Sequence, residues 1–138
     1  MENKKSFRLT KNIYLKLANI NDAKFIYNLR TNKKLAQYLN PTSSKFNDQI
    51  EWMKNYFKRN SKNLEYYFKF QTKKNNKFND IGIARIIKLS KYNFSFGGWI
   101  MKPGSKSWQA IECALSIYEF AFIKKEFKKN LMWMDLKN

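Results

Sequence analysis

Three apolar runs typical of β-strands follow one another between residues 64 and 101, separated only by short polar segments. They are LEYYFKFQT at 64–72, DIGIARIIKL at 80–89 and NFSFGGWIM at 93–101. Connections this short join antiparallel neighbours, because a parallel neighbour requires a long crossover. The sequence therefore predicts a three-stranded antiparallel meander.

A strand and a helix are predicted at the start of the chain. Residues 13–18 (IYLKLA) alternate apolar and polar side chains, as a half-buried strand does. Asn21 or Asp22 then supplies an N-cap for a helix. This helix carries Ala23, Ile26, Tyr27 and Arg30.

Two helical segments are predicted between this first helix and the meander. The short turn KKLAQYL, at 33–39, ends before Asn40-Pro41, because the residue preceding a proline is pushed out of helical geometry. A longer helix lies within 41–60, with Ser44 or Asn47 as its cap. Its apolar side chains share one face, and they are Ile50, Met53 and Phe57.

One more helix and one more strand follow the meander. Residues 111–123 predict an amphipathic helix, and LMWMDL at 131–136 predicts a buried strand. Because a helix crosses between them, this strand and the strand at 93–101 are expected to be parallel neighbours. The chain is therefore predicted to be one α/β domain, 1–138, with a mixed, mostly antiparallel sheet flanked by helices. The helix face predicted to be buried comprises Ile111, Ala114, Leu115, Tyr118 and Phe122.

Composition excludes several kinds of site. The chain has one cysteine, Cys113, and no histidine, so an internal disulfide and a Cys/His metal site are both excluded. The charged N-terminus lacks the apolar core of a signal peptide, and no apolar run approaches the ~20 residues that span a bilayer. We therefore expect a cytoplasmic protein without a metal, and a buried structural role for Cys113.

The formal net charge of +18 first suggests nucleic acid as a partner. However, 24 of the 28 basic residues are lysines, counted as 28 minus the arginines Arg8, Arg30, Arg59 and Arg85, and they are scattered along the chain. This pattern favours a generally basic surface that attracts anionic small ligands. A basic nucleic-acid-binding module is the less favoured alternative.

The segment KPGSKSWQA, at 102–110, connects the last strand of the meander to the following helix. A strand, a loop of small residues and a helix N-terminus is the usual arrangement for binding a phosphate through main-chain amides. This loop has a single glycine, Gly104, and carries the bulky Trp108. From its residues alone it is either a phosphate loop or a turn.

The order of these segments resembles the GCN5-related N-acetyltransferase (GNAT) superfamily, in the branch of amino-sugar-nucleotide and ribosomal-protein N-terminal acetyltransferases. The resemblance covers nearly the whole chain. Its segments are IYLKLANINDAKFIYNLRTN (13–32), QIEWM (49–53), DIGIARI (80–86), FGGWIMKP (96–103), EFAF (119–122) and LMWMDLKN (131–138).

The resemblance implies acetyl-CoA as cosubstrate, with its pantetheine arm in a gap where the fourth and fifth strands separate at a bulge. Gly97-Gly98 fits such a bulge. The pyrophosphate would rest on amides at the start of the crossover helix, although Trp108 or Gln109 occupies the position of an expected glycine. The implied CoA-contacting residues are Ile100, Met101, Lys102, Lys106, Ser107, Trp108, Gln109 and Ala110.

The resemblance also implies an acceptor site but leaves the catalytic residues unassigned. Arg30 and Asn32 match an Arg-Asn pair that faces the acceptor in the sugar-nucleotide branch. Phe96 stands where many relatives have a glutamate, and the tyrosine that serves as their acid belongs to a helix beyond Asn138. We therefore expect a C-terminally incomplete domain whose fifth strand is exposed, and this edge could pair in a homodimer.

The implied function is transfer of an acetyl group from acetyl-CoA to a primary amine. The expected acceptor is a small-molecule amine, best an amino sugar on a nucleotide carrier, ahead of a protein N-terminus. The alternative within this fold is a catalytically weak or inactive remnant.

Overall fold

Six strands form a single sheet in the computed structural model, which describes residues 6–37, 39 and 42–131. They lie side by side in chain order; β1 to β5 are antiparallel, and β6 runs parallel to β5. This confirms the predicted mixed, mostly antiparallel sheet and its parallel last pair. The strands are β1 (Phe7–Arg8), β2 (Tyr14–Leu17), β3 (Glu65–Lys74), β4 (Lys77–Lys88), β5 (Asn93–Met101) and β6 (Lys129–Asn130).

The ends of the strands differ in part from the prediction. The turn between β3 and β4 is only Asn75-Asn76, whose φ angles are 52° and 63°. Both residues are left-handed, as in the tight hairpin turns that match strand twist, and asparagine tolerates this conformation. The polar residues expected in a seven-residue turn therefore extend the two strands. The short β1 was not predicted, and of the strand expected at 131–136 the described residues include only Leu131.

Helices cover both faces of the sheet. They are α1 (Ala23–Arg30), α2 (Phe46–Ser61) and α3 (Ser107–Tyr118), with a 3₁₀ turn at Ile20–Asp22 and a π-helical segment at Glu119–Lys124. Successive side chains of β3 enter opposite cores: Phe68 and Phe70 pack with α3, and Tyr67 packs with α1 and α2. Alternation along one strand thus builds two hydrophobic layers.

The predicted N-cap position of α1 is confirmed, because Asp22 directly precedes the helix, although its side chain makes no cap hydrogen bond. Asn19 accepts a hydrogen bond from the Asn21 N–H at 2.9 Å and so caps the 3₁₀ turn that leads into α1. The predicted cap of α2 was wrong, because this helix begins after Lys45, without a side-chain cap. Residues 33–37 form turns, in line with the short helical turn expected there. Asn32 stabilises these turns, because its Oδ1 accepts from the N–H groups of Lys34 and Leu35, each at 3.1 Å.

The rotation of α3 also differs from the prediction. Its buried side chains are those of Cys113, Ser116 and Ile117, whereas Ile111 and Leu115 are 63% and 56% exposed. The segment is apolar on nearly every side, so hydrophobic spacing alone could not select the buried face. The rotation of α3 is set instead by hydrogen bonds between Glu112 and the loop that precedes β2. In α2 the fully buried side chains are likewise Gln49, Met53 and Tyr56, with Ile50 and Phe57 at the margin of the core.

Glu112 ties α3 to the loop between β1 and β2. Its carboxylate accepts hydrogen bonds from the Asn12 N–H at 2.7 Å, from the Asn12 side chain at 3.1 Å and from the Thr10 hydroxyl at 3.0 Å. Burial works to raise the pKa of Glu112, but these hydrogen bonds together hold it below its ordinary value. Glu112 therefore has a structural role, because it fastens the start of α3 to the loop before β2.

A buried ion network lies where α1 meets the sheet. The Lys69 ammonium is 2.6 Å from Asp22 and 3.1 Å from Asp80, and both Lys69 and Asp22 are nearly inaccessible to solvent. Burial favours a neutral Asp22, but the hydrogen bond and charge of Lys69 and the Asn19 N–H outweigh it and lower the pKa of this carboxyl. Lys16, at 3.3 Å from Asp22 and partly exposed, is a weaker second partner, so Asp22 depends mainly on Lys69 for its charged state.

Replacing Lys69 with methionine should destabilise the fold by about 3–5 kcal/mol at neutral pH, because Asp22 is left as a poorly compensated buried charge. Denaturant unfolding measures this loss, with the exposed Lys24→Met on α1 as the matched control. In the wild type the stabilisation by Asp22 is complete above its ordinary pKa of 3.8 and is lost as the pH falls through the lower folded value. The difference between variant and wild type should therefore shrink at acidic pH; a constant difference would contradict this account.

Candidate active site

A bulge interrupts β5 at the two glycines. Ile83 of β4 pairs with Ile100, but Arg85 pairs with Gly97, so β5 has one extra residue across this step. Gly98 has φ of 60°, and a Cβ there would lie 3.1 Å from Cδ of Arg85. Position 98 therefore requires glycine for two reasons: its backbone is left-handed, and the Arg85 side chain leaves little room for a Cβ. The bulge predicted at Gly97-Gly98 is confirmed.

β5 and β6 pair over a short distance within the described residues. Asn93 and Phe94 pair with Lys129 and Asn130, and the Phe96 N–H then donates to the side-chain Oδ1 of Asn130 at 3.1 Å. The side-chain Nδ2 of Asn130 donates to the Tyr118 hydroxyl at 3.3 Å. A side chain thus takes the place of the next main-chain acceptor and links β5 to α3 just before the bulge.

Two arginines lie above the bulge, on the face of the sheet that carries α1 and α2. Arg30 is the last residue of α1, and its guanidinium approaches within 3.7 Å of the Cβ position of Gly98. Arg85 lies over the rings of Trp52 and Tyr67, at 4.8 Å and 5.7 Å from their centroids. The strand bulge and the cationic groups therefore form one site.

Glu65 holds Arg85 in this position. Its carboxylate is 2% exposed and binds Arg85 through Nε at 2.7 Å and through a second guanidinium nitrogen. The other carboxylate oxygen binds Arg59, whose guanidinium lies 5.2 Å from the Trp52 ring. One carboxylate thus neutralises two arginines, and the charge of Arg30 is left without a carboxylate partner among the described residues.

A cavity of about 180 Å³ opens beside Arg30. Arg30 Nε donates to the Thr42 hydroxyl at 2.8 Å, and its guanidinium also interacts with the Tyr67 hydroxyl. The side-chain amide nitrogen of the buried Gln49 has no hydrogen-bond partner within the described part of the chain. The cavity is lined by Arg30, Thr42, Ser43, Asp48, Gln49 and Trp52.

Tyr67 adds a second buried polar group in this region. Its hydroxyl lies beside Arg30, without a short, well-aligned hydrogen bond to the described residues. Burial raises the pKa of Tyr67 against the charge and hydrogen bonding of Arg30 and the charge of Arg85, so the hydroxyl stays protonated at neutral pH. Buried polar groups are seldom left unsatisfied, so Gln49 marks a place that suits a ligand. The Tyr67 ring is fully buried beneath Arg85, and its neighbour Tyr66 is buried against Phe120.

The residues predicted to contact an acceptor are separated. Arg30 lines the cavity, whereas Asn32 lies in the following turn and accepts the main-chain hydrogen bonds described above. Sequence reasoning did not identify Asp48 or Gln49. Gln49 could have been found, because it lies four residues before the core residue Met53 and so shares its helix face.

The residues predicted to contact CoA lie at the end of β5 and the start of α3. Ile100 is buried beneath α1 and α2, and Met101 is half-buried on the other face of the sheet. The Lys102 N–H donates to the Ile81 carbonyl at 2.7 Å, so β4 occupies this amide. The side chains of Lys102 and Lys106 are exposed.

The first turn of α3 presents the remaining predicted contacts. The Lys106 N–H donates to the side-chain oxygen of Gln109 at 2.9 Å, and α3 begins at Ser107. Ala110 donates its N–H to the Lys106 carbonyl at 3.2 Å. The side chains of Trp108 and Gln109 line another cavity, on the side of the loop between β1 and β2.

Other kinds of site find little support in the described residues. They contain no group of His, Cys, Asp and Glu that could hold a metal ion, and none of their helices combines the length and apolar character of a bilayer span. Cys113 is fully buried. Burial, aided by the charge of Glu112, raises the pKa of its thiol, so it is not a nucleophile at neutral pH.

Neither a protein-family model nor a curated protein sequence matches the chain. Among solved structures it is similar to apo FdhC, a nucleotide-linked sugar GNAT, with 30% identity and a TM-score of 0.78 over 97% of this chain and 76% of the other. It is similar in fold to spermidine N-acetyltransferase from Vibrio cholerae in complex with CoA and spermine, with 23% identity and a TM-score of 0.69 over 89% and 71% of the chains. A Vibrio cholerae protein described as a ribosomal-protein-serine acetyltransferase gives 16% identity and a TM-score of 0.74 over 100% and 78%.

The chain belongs to the GNAT superfamily, a class of acyl-CoA-dependent N-acyltransferases that transfer acetyl groups to amines. This confirms the family that the order of segments resembled. The identity with FdhC and the extent of the match carry the assignment, and the two Vibrio cholerae structures support the fold.

Replacement of Gly98 by alanine should destabilise the protein by roughly 1–3 kcal/mol, since the new Cβ meets Arg85 in a left-handed backbone. Gly97→Ala is the matched control, because a Cβ there meets nothing within 4 Å. Urea unfolding of both variants measures the difference. Equal stability of the two variants would show that the bulge does not require glycine at position 98.

Proposed function

We propose that this protein transfers an acetyl group from acetyl-CoA to the amino group of a nucleotide-linked sugar. The observation that carries this proposal is the interruption of the sheet by Asn130 and Gly98 beside a cavity that contains Arg30 and unpartnered Gln49. The similarity to FdhC supports the choice of acceptor.

The fit for acetyl-CoA rests on main-chain groups. Past the Asn130 contact, Gly97 to Met101 offer the side of β5 opposite β4 to an extended ligand, as a sheet edge accepts a peptide. The first amides of α3 and the exposed Lys102 and Lys106 suit its pyrophosphate. When bound, acetyl-CoA supplies the thioester that is to be cleaved. Trp108 directs its side chain to another cavity, so its bulk is compatible with this arrangement.

Direct attack of the acceptor amine on the thioester suits the residues present. Cys113 is buried and protonated, and the chain has no histidine to activate a serine, so a covalent enzyme intermediate has no candidate nucleophile–base pair among the described residues. The bulged main chain near Ile100 and Met101 is the candidate hydrogen-bond donor to the thioester carbonyl. Asp48 is the carboxylate that lines the cavity, and we assign it the attraction of the acceptor's ammonium group.

The charges of the cavity favour a sugar nucleotide over a polyamine. Arg30 has no carboxylate partner among the described residues, so its guanidinium is suited to the phosphate oxygens of a nucleotide. The side-chain amide of Gln49 can bind a sugar or base oxygen. A polycationic acceptor such as a polyamine would instead meet the repulsion of Arg30 and of a chain with a net charge of +18.

Calorimetric titration with acetyl-CoA tests the cosubstrate. We expect a Kd below about 100 μM, which corresponds to roughly −5.5 kcal/mol. The Lys24→Ala variant is the control, since this exposed residue of α1 lies outside the cavity. Absence of binding at millimolar acetyl-CoA would contradict the proposal and identify an inactive GNAT fold.

Arg30→Ala should lower kcat/KM for an amino-sugar nucleotide about 10–100-fold, equivalent to about 1.4–2.7 kcal/mol, while the Kd for acetyl-CoA stays unchanged. Arg30→Lys should recover only part of the loss, because it retains the charge but not the bond to Thr42. Thiol release during turnover measures the rates. If both variants retain wild-type rates with sugar nucleotides, Arg30 does not bind the acceptor.

A further inference from the structure

A second and larger cavity, of about 520 Å³, lies at the end of the sheet that contains the β3–β4 turn. Its walls come from the loop between β1 and β2, from the β3–β4 hairpin and from the start of α3. None of its lining residues belongs to the cavity beside Arg30. The lining residues are Arg8, Lys11, Asn12, Tyr14, Thr72, Lys73, Lys74, Asn75, Asn76, Asn79, Trp108 and Gln109.

The ionisable lining is strongly basic. Arg8, Lys11, Lys73 and Lys74 contribute four positive charges, and no carboxylate is among the lining residues. None of the four has an ion pair with the described residues. Glu112, the acidic residue that anchors the adjacent loop, is already engaged by Asn12 and Thr10. The cavity is therefore a region of uncompensated positive potential that attracts anions.

The other lining groups can contact an aromatic ring and polar atoms of a ligand, in addition to its charges. Trp108 is 45% exposed and presents an indole ring at the cavity. The side-chain amides of Asn75, Asn76 and Asn79 add donors and acceptors. Tyr14 is less available, because its ring packs edge-on against Phe78 and lies near Lys73 and Arg8. A planar ring on Trp108 and phosphates at the basic residues would use both parts of the lining.

The walls of this cavity are connected to one another. The three hydrogen bonds of Glu112 hold the start of α3 against the β1–β2 loop, and Arg8 donates to the Lys11 carbonyl at 3.1 Å within that loop. β1 and β2 in turn pair with each other, and β2 pairs with β3, which carries one side of the hairpin. The cavity thus belongs to the framework of the sheet and α3, although its lysine side chains are exposed.

We propose that this cavity binds a small, multiply charged phosphorylated ligand that carries a planar ring, of the size of a mononucleotide. Its volume lies within the range of small-molecule sites, and it is an open groove whose lining residues are mostly exposed. The cavity shares no lining residue with the cavity beside Arg30, so its occupation does not depend on the proposed reaction. Trp108 and Gln109 are also among the residues implied to contact CoA, so the proposed site adjoins the pyrophosphate site at the start of α3.

Calorimetry with ADP, adenosine and tripolyphosphate tests this site, with and without excess CoA. We expect ADP to bind in the presence of CoA, with an affinity that falls at least tenfold in Lys11→Gln/Lys74→Gln. The control Lys24→Gln/Lys58→Gln removes the same charge from α1 and α2 and should change the affinity less than twofold. Trp108→Ala should weaken ADP more than tripolyphosphate, and adenosine should bind weakly because it lacks phosphates.

Three results would overturn the proposal. Equal losses in the two double variants would show that net charge alone attracts the anions. Complete displacement of ADP by CoA would place ADP in the acyl-CoA cleft. Absence of binding by both ADP and tripolyphosphate at millimolar concentration would exclude an anion site. Thermal unfolding of each variant verifies that a lost affinity does not reflect an unfolded protein.

Discussion

The extra residue in β5 is the constraint on which the candidate active site depends. The extra residue shifts the register of β5 against β4 by one position. Position 98 then requires a left-handed backbone close to the side chain of Arg85, which only glycine can adopt without strain. Two residues before Gly98, the Phe96 N–H donates to the side chain of Asn130. In a regular parallel ladder it would donate to a main-chain carbonyl. The bulge and this substitution together expose ladder groups of β5 near the cavity beside Arg30. A regular strand would instead have offered them to its neighbour.

Carboxylates are scarce in this chain, and their positions decide which cations are free. Ten acidic residues face 28 basic ones. Glu65 serves Arg59 and Arg85, and Asp22 and Asp80 serve Lys69, so the buried acids stabilise the fold. Arg30 and the basic residues of the larger cavity have no acidic partner among the described residues, and their charge is available to ligands. A strongly basic composition therefore produces two local anion-attracting sites, which the overall net charge did not locate.

Much of the fold followed from the sequence, because strand and helix periods differ and the turns are polar. The bounds of β5, the bulge at Gly97-Gly98 and the parallel last pair were all predictable from local patterns. The rotation of α3 was not, because Ile111 and Leu115 look as apolar as the buried Cys113 and Ile117, and a distant contact between Glu112 and Asn12 decides among them. The burial of Gln49 was predictable from its spacing to Met53, but the part that Gln49 and Asp48 play in the cavity was not. That part arises only when α2 lies beside Arg30, and no local pattern reports that neighbour.

The same tertiary contact explains the unusual loop before α3. By sequence alone, Trp108 in place of a glycine suggested an obstacle to phosphate. In the fold, Glu112 lies one helical turn after Trp108 and is held by the β1–β2 loop, so both residues lie on the side of α3 that meets this loop. The side chain of Trp108 consequently lines the basic cavity. A departure from a glycine-rich pattern is therefore compatible with anion binding by main-chain amides when the replacing side chain has another place to pack.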